Sequence, residues 1–375
     1  MKKRVLILTS YVTGHGHKSI TDALEVELRK HKDVEFKSVE AFEFGGKMGL
    51  RVGKMYAPII RTSEDMWKFI YAMTATDPHL VNSVVKRIIK TKFNKLVDQF
   101  NPDIIVTVHP AFNSAVVDLL EKRKDKKKIK FATVFADLIS ISPLWVEPRA
   151  DLMIAPTKSA WVYAIKNGAD EDKMAIINLP VRKEILNAGA KIKSIDDNAI
   201  REKKNIDFLI MSGGEGSGDM GAIIEKLLKI PNSRISAVAG RNSKLKEILE
   251  AKFSNNLDRV TIYGYVKDVE TLMVNNDVGI VRGSPNVLME CITCTLPVIV
   301  TGALPGQEEG NIDFILLNDL GLLCNKQNDL VRTVNKLITN DKERLIKIRK
   351  NQLAFRDLEA GKKIVDRILE LYERK

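Results

Sequence analysis

Two histidines separated by a single glycine follow the first apolar run of the sequence. The run is Arg4–Ser10, and residues 13–20 then read TGHGHKSI, which contains His15 and His17. Imidazole, with an unperturbed pKa near 6.5, can accept a proton at neutral pH or bind a metal ion. Because no third ligand lies nearby in the sequence, acid–base chemistry is favoured over a metal site, and we expect no bound metal.

A second glycine-rich loop follows a second apolar run. The run is Ile206–Ser212, and the loop reads SGGEGSGDM over residues 212–220. Glycines let a backbone approach a ligand closely, and the N-terminus of a following helix suits phosphate, although a purely structural turn is the alternative for each loop taken alone. Neither loop carries the Walker lysine pattern, and GHGHKS lacks the third glycine of a dinucleotide fingerprint. ATP and NAD are therefore disfavoured, and we expect no cofactor.

The elements that must position these loops alternate between short apolar strands and helices, as parallel strands covered on both faces do. Strands are predicted at 4–10, 34–39, 103–109, 131–137, 151–156 and 174–180, and again at 206–212, 234–240, 260–265, 278–283 and 297–302. Helices are predicted at 18–29, 220–229, 243–253, 268–275 and 287–294. The pattern predicts two doubly wound α/β domains, residues 1–186 and 205–355, joined by a polar linker. Ligands of such sheets bind beyond the carboxyl ends of the strands, so we expect the two glycine loops to face one central cleft.

Composition narrows the class of protein further. The 375 residues are 45% apolar and 29% charged, as in ordinary folded chains. Three cysteines, at 291, 294 and 324, cannot form a disulfide framework or complete a zinc site. The sequence also offers no apolar signal region and no stretch of about 18 apolar residues. We therefore expect a protein of a reducing, cytosolic compartment that is neither secreted nor transmembrane.

The net charge of +12 is concentrated in one stretch. Lys47–Asp98 contains ten Lys or Arg and four Asp or Glu, a local charge of +6, together with aromatic residues and methionines. Such a stretch can bind nucleic acid, lie on an anionic membrane, or form the solvated face of a helix. No nucleic-acid fold motif accompanies it, so the last two interpretations remain open.

Several segments resemble the diacylglycerol glycosyltransferases, a family that includes plant monogalactosyldiacylglycerol synthase and bacterial processive diacylglycerol glucosyltransferase. The resemblance covers roughly residues 4–330, and its segments are the two glycine loops, VFADLISISPLW (134–145), NLPVRKE (178–184), AVAGRN (237–242) and LPGQEEGN (304–311). It implies a GT-B fold with an N-terminal acceptor domain, a C-terminal UDP-sugar domain and a last helix, within 356–375, that packs back on the first domain. It also implies metal-independent, inverting transfer of a hexose from a UDP-sugar to diacylglycerol or a similar membrane lipid.

On the acceptor side the resemblance implies two catalytic residues. His17 matches the histidine of the family's glycine-rich loop, the general base, and follows Gly16; His15 stands where the family usually has glycine. Asp137 matches the aspartate of a Thr-Asp-Leu motif in which Ala136 replaces the threonine. Asp137 would orient His17, act as the base itself, or simply cap the next turn.

On the donor side the resemblance implies a nucleotide pocket. Glu290 would accept both ribose hydroxyls, since one carboxylate suits two adjacent hydroxyl donors. The remaining expected contacts are Gln307, Glu308 and Asn311 at the sugar, Tyr265 and Val266 beside the uracil, and Arg241, Gly213, Gly214 and Gly216 at the diphosphate.

One segment departs from the family. Where the family has Lys-Ala-Gly-Pro-Gly-Thr or a glycine-rich variant, residues 282–287 read RGSPNV, so Ser284, Pro285 and Asn286 would line the diphosphate cradle. Asn286 would replace a lost hydrogen-bond donor or cap the helix.

A membrane-dissolved acceptor gives the basic stretch a role. Trp67 and Phe69 would enter the interface while Lys54, Arg61 and Lys68 meet anionic headgroups, which predicts a cytoplasmic protein peripheral to the inner face of the cell membrane. Two alternatives remain: a catalytically silent UDP-sugar sensor, which the altered RGSPNV segment favours, and a glycosyltransferase or epimerase with a soluble substrate, which would not need the basic stretch.

Overall fold

A computed structural model describes residues 2–13, 15–47, 49–51, 77–123, 128–211 and 219–373 of the chain. The chain folds into two compact units. The first consists of Met1–Pro180, Pro305–Gln307 and Glu359–Lys375, and the second of Val181–Leu304 and Glu308–Leu358. No helix among these described residues is long and apolar enough to span a bilayer.

The first unit is built on a six-stranded parallel sheet with the order β2-β1-β3-β4-β5-β6. Its strands are β1 (Lys3–Thr9), β2 (Val34–Glu40), β3 (Ile104–Thr107), β4 (Lys130–Val134), β5 (Leu152–Ala155) and β6 (Met174–Ile176). Its helices are α1 (His15–Leu28), α2 (Pro78–Phe100), α3 (Asn113–Glu121) and α4 (Lys158–Lys166), with the C-terminal helix, α14 (Ala360–Glu370), at the end of the chain. Every residue of β3 and β5 is buried, as continuous apolar runs require when helices cover both faces of a sheet.

The second unit repeats this plan with the order β12-β11-β10-β7-β8-β9, again all parallel. Its strands are β7 (Ile206–Met211), β8 (Ser233–Val238), β9 (Val260–Tyr263), β10 (Val278–Val281), β11 (Val298–Val300) and β12 (Gly321–Leu323). Its helices are α5 (Lys183–Lys191), α6 (Asp197–Glu202), α7 (Met220–Leu227), α8 (Ser243–Lys252), α9 (Val269–Asn275), α10 (Pro285–Thr293), α11 (Glu309–Leu317), α12 (Leu330–Ile338) and α13 (Glu343–Phe355). Both sheets therefore have the doubly wound order of Rossmann-like domains.

The strand order reverses once in each sheet, and that point fixes where ligands can bind. In the first sheet the reversal lies between β1 and β3, and in the second between β7 and β10. Among the described residues, His17 and His109 follow β1 and β3, and Arg282–Ser284 follow β10; residues 212–218, next after β7 in the sequence, lie outside the described residues. The chain therefore brings its chemistry-bearing segments to the crevice of each sheet.

The C-terminal helix packs within the first unit. Gly361 of α14 lies against Ala23 and Glu27 of α1, where a Cβ atom would come within 3.4 Å of the Glu27 side chain. Lys3 of β1 lies 5.3 Å from the centre of the Tyr372 ring just beyond the helix.

Residues 187–204 are not a structureless linker, because the chain passes between the units at Pro180–Val181 and α5 and α6 follow. Ile185 and Gly189 of α5 are buried, and Gly189 packs so closely on Thr293 that a Cβ atom would meet its carbonyl oxygen at 2.5 Å. Gly189 thus allows α5 to pack closely on α10, although the sequence there shows no apolar periodicity. The three-residue strand β12 was also not predicted, since its segment is too short to show a pattern.

Candidate active site

His17 lies in the first turn of α1, not in a loop before the helix. Helix α1 begins at His15, so Gly16 is helical too, and the hydroxyl of Thr21 donates a 2.9 Å hydrogen bond to the His17 carbonyl. Because β1 ends at Thr9, His17 stands beyond the carboxyl end of that strand, beside β3. The sequence placed the start of this helix at residue 18, three residues late.

The His17 ring is held in one tautomer. Its Nδ1 lies 2.6 Å from the carbonyl oxygen of Val108. A carbonyl only accepts, so Nδ1 carries the proton and the lone pair of Nε2 remains available to accept another. Burial lowers the pKa of His17 to about 4, against the opposing effect of the Val108 bond, so the ring is neutral at physiological pH. A neutral imidazole with a fixed Nδ1 proton is suited to act as a general base.

A second histidine lies beside the first. The His109 and His17 ring centroids are 4.6 Å apart, and His109 also packs against Phe42 and Phe112 at 5.3 and 5.4 Å. Its Nδ1 accepts a 3.3 Å hydrogen bond from the Ala111 amide, and burial together with the charge of a protonated His17 lowers its pKa. Sequence reasoning missed His109, although it follows the strand that neighbours β1 and could have been found from that topology.

Asp137 is buried between two neutral hydrogen-bond donors. Its Oδ2 accepts a 2.6 Å bond from the indole N–H of Trp145, and its Oδ1 accepts a 3.3 Å bond from the Gln307 amide. Burial raises the pKa of Asp137 to about 6, and the two bonds oppose that shift only in part. The partner of the His17 Nδ1 is the Val108 carbonyl and not Asp137. Of the roles weighed for Asp137, acid–base chemistry is the one that its surroundings favour.

In the second unit, Glu290 pairs with an arginine. Its Oε1 accepts a 2.8 Å hydrogen bond from Nε of Arg182, and Glu290 itself is only 8% exposed. Although burial lowers the pKa of Arg182, the bond to Glu290 outweighs that effect and raises it. Arg182 lies in the NLPVRKE segment. No sequence pattern predicts that it pairs with Glu290, which is 108 residues away.

The altered RGSPNV segment forms a compact turn into α10. Ser284 is the residue before the helix and Pro285 its first position, so Asn286 lies inside the helix and is not its cap. The Ser284 side chain forms no capping bond to the first amides of α10. Gly283 packs against Ala303, where a Cβ atom would lie at 3.2 Å.

Two of the residues expected at the sugar brace loops. The Asn311 amide donates a 2.7 Å hydrogen bond to the Gly283 carbonyl, and Glu308 Oε2 accepts a 2.9 Å bond from the Leu304 amide. Both side chains are buried. These hydrogen bonds support the turn before α10 and the turn before α11, respectively.

Arg241 and Tyr265 form an exposed pair on the other side of the second sheet's crevice. Arg241 follows β8, and its guanidinium lies 5.3 Å from the centre of the Tyr265 ring, a cation–π contact. Tyr265, which follows β9, is 61% exposed, and its neighbour Val266 is half-buried. A flat, exposed ring with a cation over one face can accept a stacked base.

Other expected site residues lie outside the described part of the chain: Gly213, Gly214 and Gly216 of the second glycine loop, and Lys54, Arg61, Trp67, Lys68 and Phe69 of the basic stretch. The same holds for the side chain of His15. Within the described ranges, no three His, Cys, Asp or Glu residues come together as a metal site would require.

Comparison with solved structures defines the class. The chain superimposes on the MurG protein of Acinetobacter baumannii with a TM-score of 0.66 and 13% identity, covering 98% of this chain and 99% of that one. It also matches the UDP-GlcNAc 2-epimerase of Neisseria meningitidis bound to UDP-GlcNAc, with a TM-score of 0.62, 15% identity and coverage of 99% and 100%. The two doubly wound units thus form a protein of the GT-B fold.

Sequence comparison shows which known proteins the chain resembles. Residues 17–181 match the model of monogalactosyldiacylglycerol (MGDG) synthase, and residues 220–340 match that of glycosyl transferases group 1. Monogalactosyldiacylglycerol synthase 2 of Arabidopsis thaliana is 28% identical over all of this chain and 82% of its own length. The synthase of Spinacia oleracea is 25% identical over all of this chain and 73% of its own length. The chain is therefore similar over its whole length to the monogalactosyldiacylglycerol synthases, the likeness that the sequence motifs predicted.

Proposed function

We infer that the chain is a UDP-sugar-dependent hexosyltransferase of glycolipid synthesis, and we propose that its acceptor is diacylglycerol or a similar membrane lipid. The observation that carries this proposal is the His17 ring. Its Nδ1 proton is fixed by the Val108 carbonyl at 2.6 Å, and the ring lies at the switch point of a sheet whose residues match the MGDG synthase family. Such a ring is ready to take a proton from an acceptor hydroxyl.

The proposed reaction is a single displacement. The acceptor hydroxyl oxygen forms a bond to the anomeric carbon of the hexose while the bond from that carbon to the diphosphate oxygen breaks. The hydroxyl proton passes to Nε2 of His17, and UDP leaves with the electron pair. Attack opposite the leaving group inverts the anomeric configuration. Proton removal by a positioned base contributes about 10²–10⁴-fold to such a rate.

The second unit is proposed to bind the nucleotide. Glu290 is buried and oriented by Arg182, so its carboxylate can accept hydrogen bonds from the ribose hydroxyls. The amides at the start of α10 are not capped by the Ser284 side chain, and the positive end of a helix suits a diphosphate. The Tyr265 ring is available for the uracil, with Arg241 beside it. The bracing of Gly283 by Asn311 would hold this cradle in place.

Helix α2 supports the proposal of a membrane surface as partner. Leu80, Val84 and Ile88 are 58%, 50% and 37% exposed and occur every fourth residue, so they share one face of the helix. Arg87 and Lys95 are exposed and fall on the same face by helical spacing. An apolar stripe flanked by cations is typical of a helix that lies on an anionic bilayer. We therefore propose that the protein is peripheral to a membrane, on its cytoplasmic face.

The function is tested by supplying donors and acceptors separately. The purified protein is incubated with UDP-galactose or UDP-glucose and diacylglycerol vesicles, with a soluble acceptor or no acceptor as controls, and UDP release and lipid products are measured. We expect glycolipid only when diacylglycerol is present. An isomerised sugar nucleotide would instead support an epimerase, and nucleotide binding without turnover would support a sensor.

The membrane surface is tested by a variant of α2. Replacing Leu80 and Val84 with Ser and Arg87 and Lys95 with Glu should weaken sedimentation with anionic vesicles at least tenfold, since each basic residue is worth about 1 kcal/mol near such a surface. The matched control carries Ile248→Ser, Leu257→Ser, Lys244→Glu and Lys336→Glu, four exposed positions of the second unit. Equal loss of binding in both variants, or none in the α2 variant, would contradict the assignment.

A further inference from the structure

Trp145 lies between the two candidate catalytic groups of the first unit. It is fully buried at the end of the short 3-10 turn Pro143–Trp145. Its indole N–H donates the 2.6 Å bond to Asp137, and its ring centroid is 6.3 Å from that of His17. One side chain therefore contacts the carboxylate and lies beside the imidazole.

The indole is held from behind by a buried polar network. Asn113, at the start of α3, donates hydrogen bonds of 3.1 and 3.0 Å to the carbonyls of Leu144 and Trp145. The Thr107 hydroxyl, at the end of β3, bonds the Asn113 side-chain oxygen. The Phe135 ring packs 5.3 Å from the indole centroid. These contacts fix the direction of the indole N–H, so the Asp137 carboxylate has a fixed donor rather than a mobile one.

The other partners of the Asp137 carboxylate determine how important the Trp145 N–H is. Among the described residues, the groups bonded to its carboxylate are the neutral Trp145 indole and the neutral Gln307 amide. The titratable neighbours of the indole, His17 and through it His109, are kept neutral because burial lowers their pKa values. Because these two described partners carry no charge, the ionised Asp137 carboxylate is stabilised by neutral donors, the indole and the amide. An indole N–H can only donate, so it favours the ionised form.

We propose that Trp145 is a positioning residue of the transfer reaction, whose indole N–H holds Asp137 ionised and in a fixed orientation while its ring lies near His17. This inference rests on the proposed function. A residue that served packing alone would need only its ring, whereas this role needs the N–H. The two roles are separable because phenylalanine keeps an aromatic ring and removes the donor.

The experiment is the pH dependence of glycolipid formation by the Trp145→Phe enzyme. Loss of one buried hydrogen bond to a carboxylate should move the acid limb of kcat upward by about one pH unit, which lowers kcat about tenfold well below pH 6 and about twofold near pH 7. Activity should recover toward the wild-type value near pH 9. The KM for the UDP-sugar should stay within twofold, because Asp137 and the nucleotide pocket lie in different units.

Two further variants keep the test decisive. Phe135→Leu disturbs the same stack without removing a donor, so its acid limb should match the wild type. Gln307→Leu removes the weaker donor, so it should shift the limb in the same direction by less. If Trp145→Phe does not fold, 3-benzothienylalanine at position 145, which has the shape of tryptophan without the N–H, should show the same shift.

The outcomes separate the inference from the proposed function. Asp137→Asn and His17→Asn enzymes with wild-type rates would overturn the catalytic assignment itself. If those two are inactive while Trp145→Phe and Gln307→Leu keep the wild-type acid limb, the positioning role of Trp145 is wrong and the proposed function stands. An equal limb shift in Phe135→Leu would also overturn it, since that shift would come from packing.

Discussion

Asp137 and Glu290 are both buried carboxylates, Asp137 in the loop after β4 and Glu290 in α10 after β10, yet their partners differ in charge. Asp137, in the first unit, is bonded by a neutral indole and a neutral amide. Glu290, in the second, is bonded by the guanidinium of Arg182. A guanidinium compensates the charge of a carboxylate, whereas neutral donors do so only in part.

The difference bears on proton exchange in the first unit. Burial raises the pKa of Asp137 to about 6, near the range in which an enzyme works, and lowers that of His17 to about 4, so that ring is neutral at physiological pH. The Arg182 guanidinium orients Glu290. Under the proposed function, the first unit supplies acid–base chemistry and the second binds the nucleotide.

The largest expected effect is on the rate. Asp137→Asn and His17→Asn should each lower kcat by about 10²–10⁴-fold, because proton transfer is lost, while Glu290→Gln should lower it by less than about tenfold. The measurement is UDP release at saturating donor and acceptor, with circular dichroism to check folding. A Glu290→Gln enzyme with a larger loss in kcat than Asp137→Asn would remove the distinction between the two carboxylates.

The next effect is on stability, and it has opposite signs at the two sites. Burial raises the pKa of Asp137 from 3.8 in the unfolded chain to about 6 in the folded protein, so its contribution to stability is fully present below pH 3.8 and lost as the pH rises through 6. Asp137→Asn should therefore raise the free energy of unfolding at pH 8 by about 3 kcal/mol and leave it unchanged near pH 3.5. Glu290→Gln should lower it, since Arg182 loses a charged partner.

Urea unfolding at the two pH values measures both changes. A destabilised Asp137→Asn protein at pH 8 would mean that its carboxylate is compensated as well as Glu290 is, and the comparison would fail.

The smallest expected effect is on donor affinity. Glu290→Gln should weaken UDP binding about tenfold, since a hydrogen bond to a charged group is worth about 1.5–3 kcal/mol. Asp137→Asn should leave it within twofold. Calorimetric titration with UDP tests both, and equal weakening by the two variants would place Asp137 in the nucleotide pocket instead.

The sequence by itself determined the architecture. Of the twelve strands among the described residues, eleven were predicted from the sequence, because burial on both faces of a parallel sheet forces a continuous apolar pattern. The helices at 243–252 and 269–275 were placed within one residue at each end. The family motifs also indicated His17, Asp137 and Glu290 as functional positions.

Only the tertiary structure decided what those residues are bonded to. The Val108 carbonyl fixes the His17 tautomer across 91 residues of sequence, and Arg182 reaches Glu290 across 108. His109 and Trp145 meet His17 because β3 pairs with β1 and the loop after β4 returns beside them. Periodicity and motif spacing are local properties of a chain, whereas the pKa and orientation of a buried group depend on its neighbours in space, which strand order and packing select.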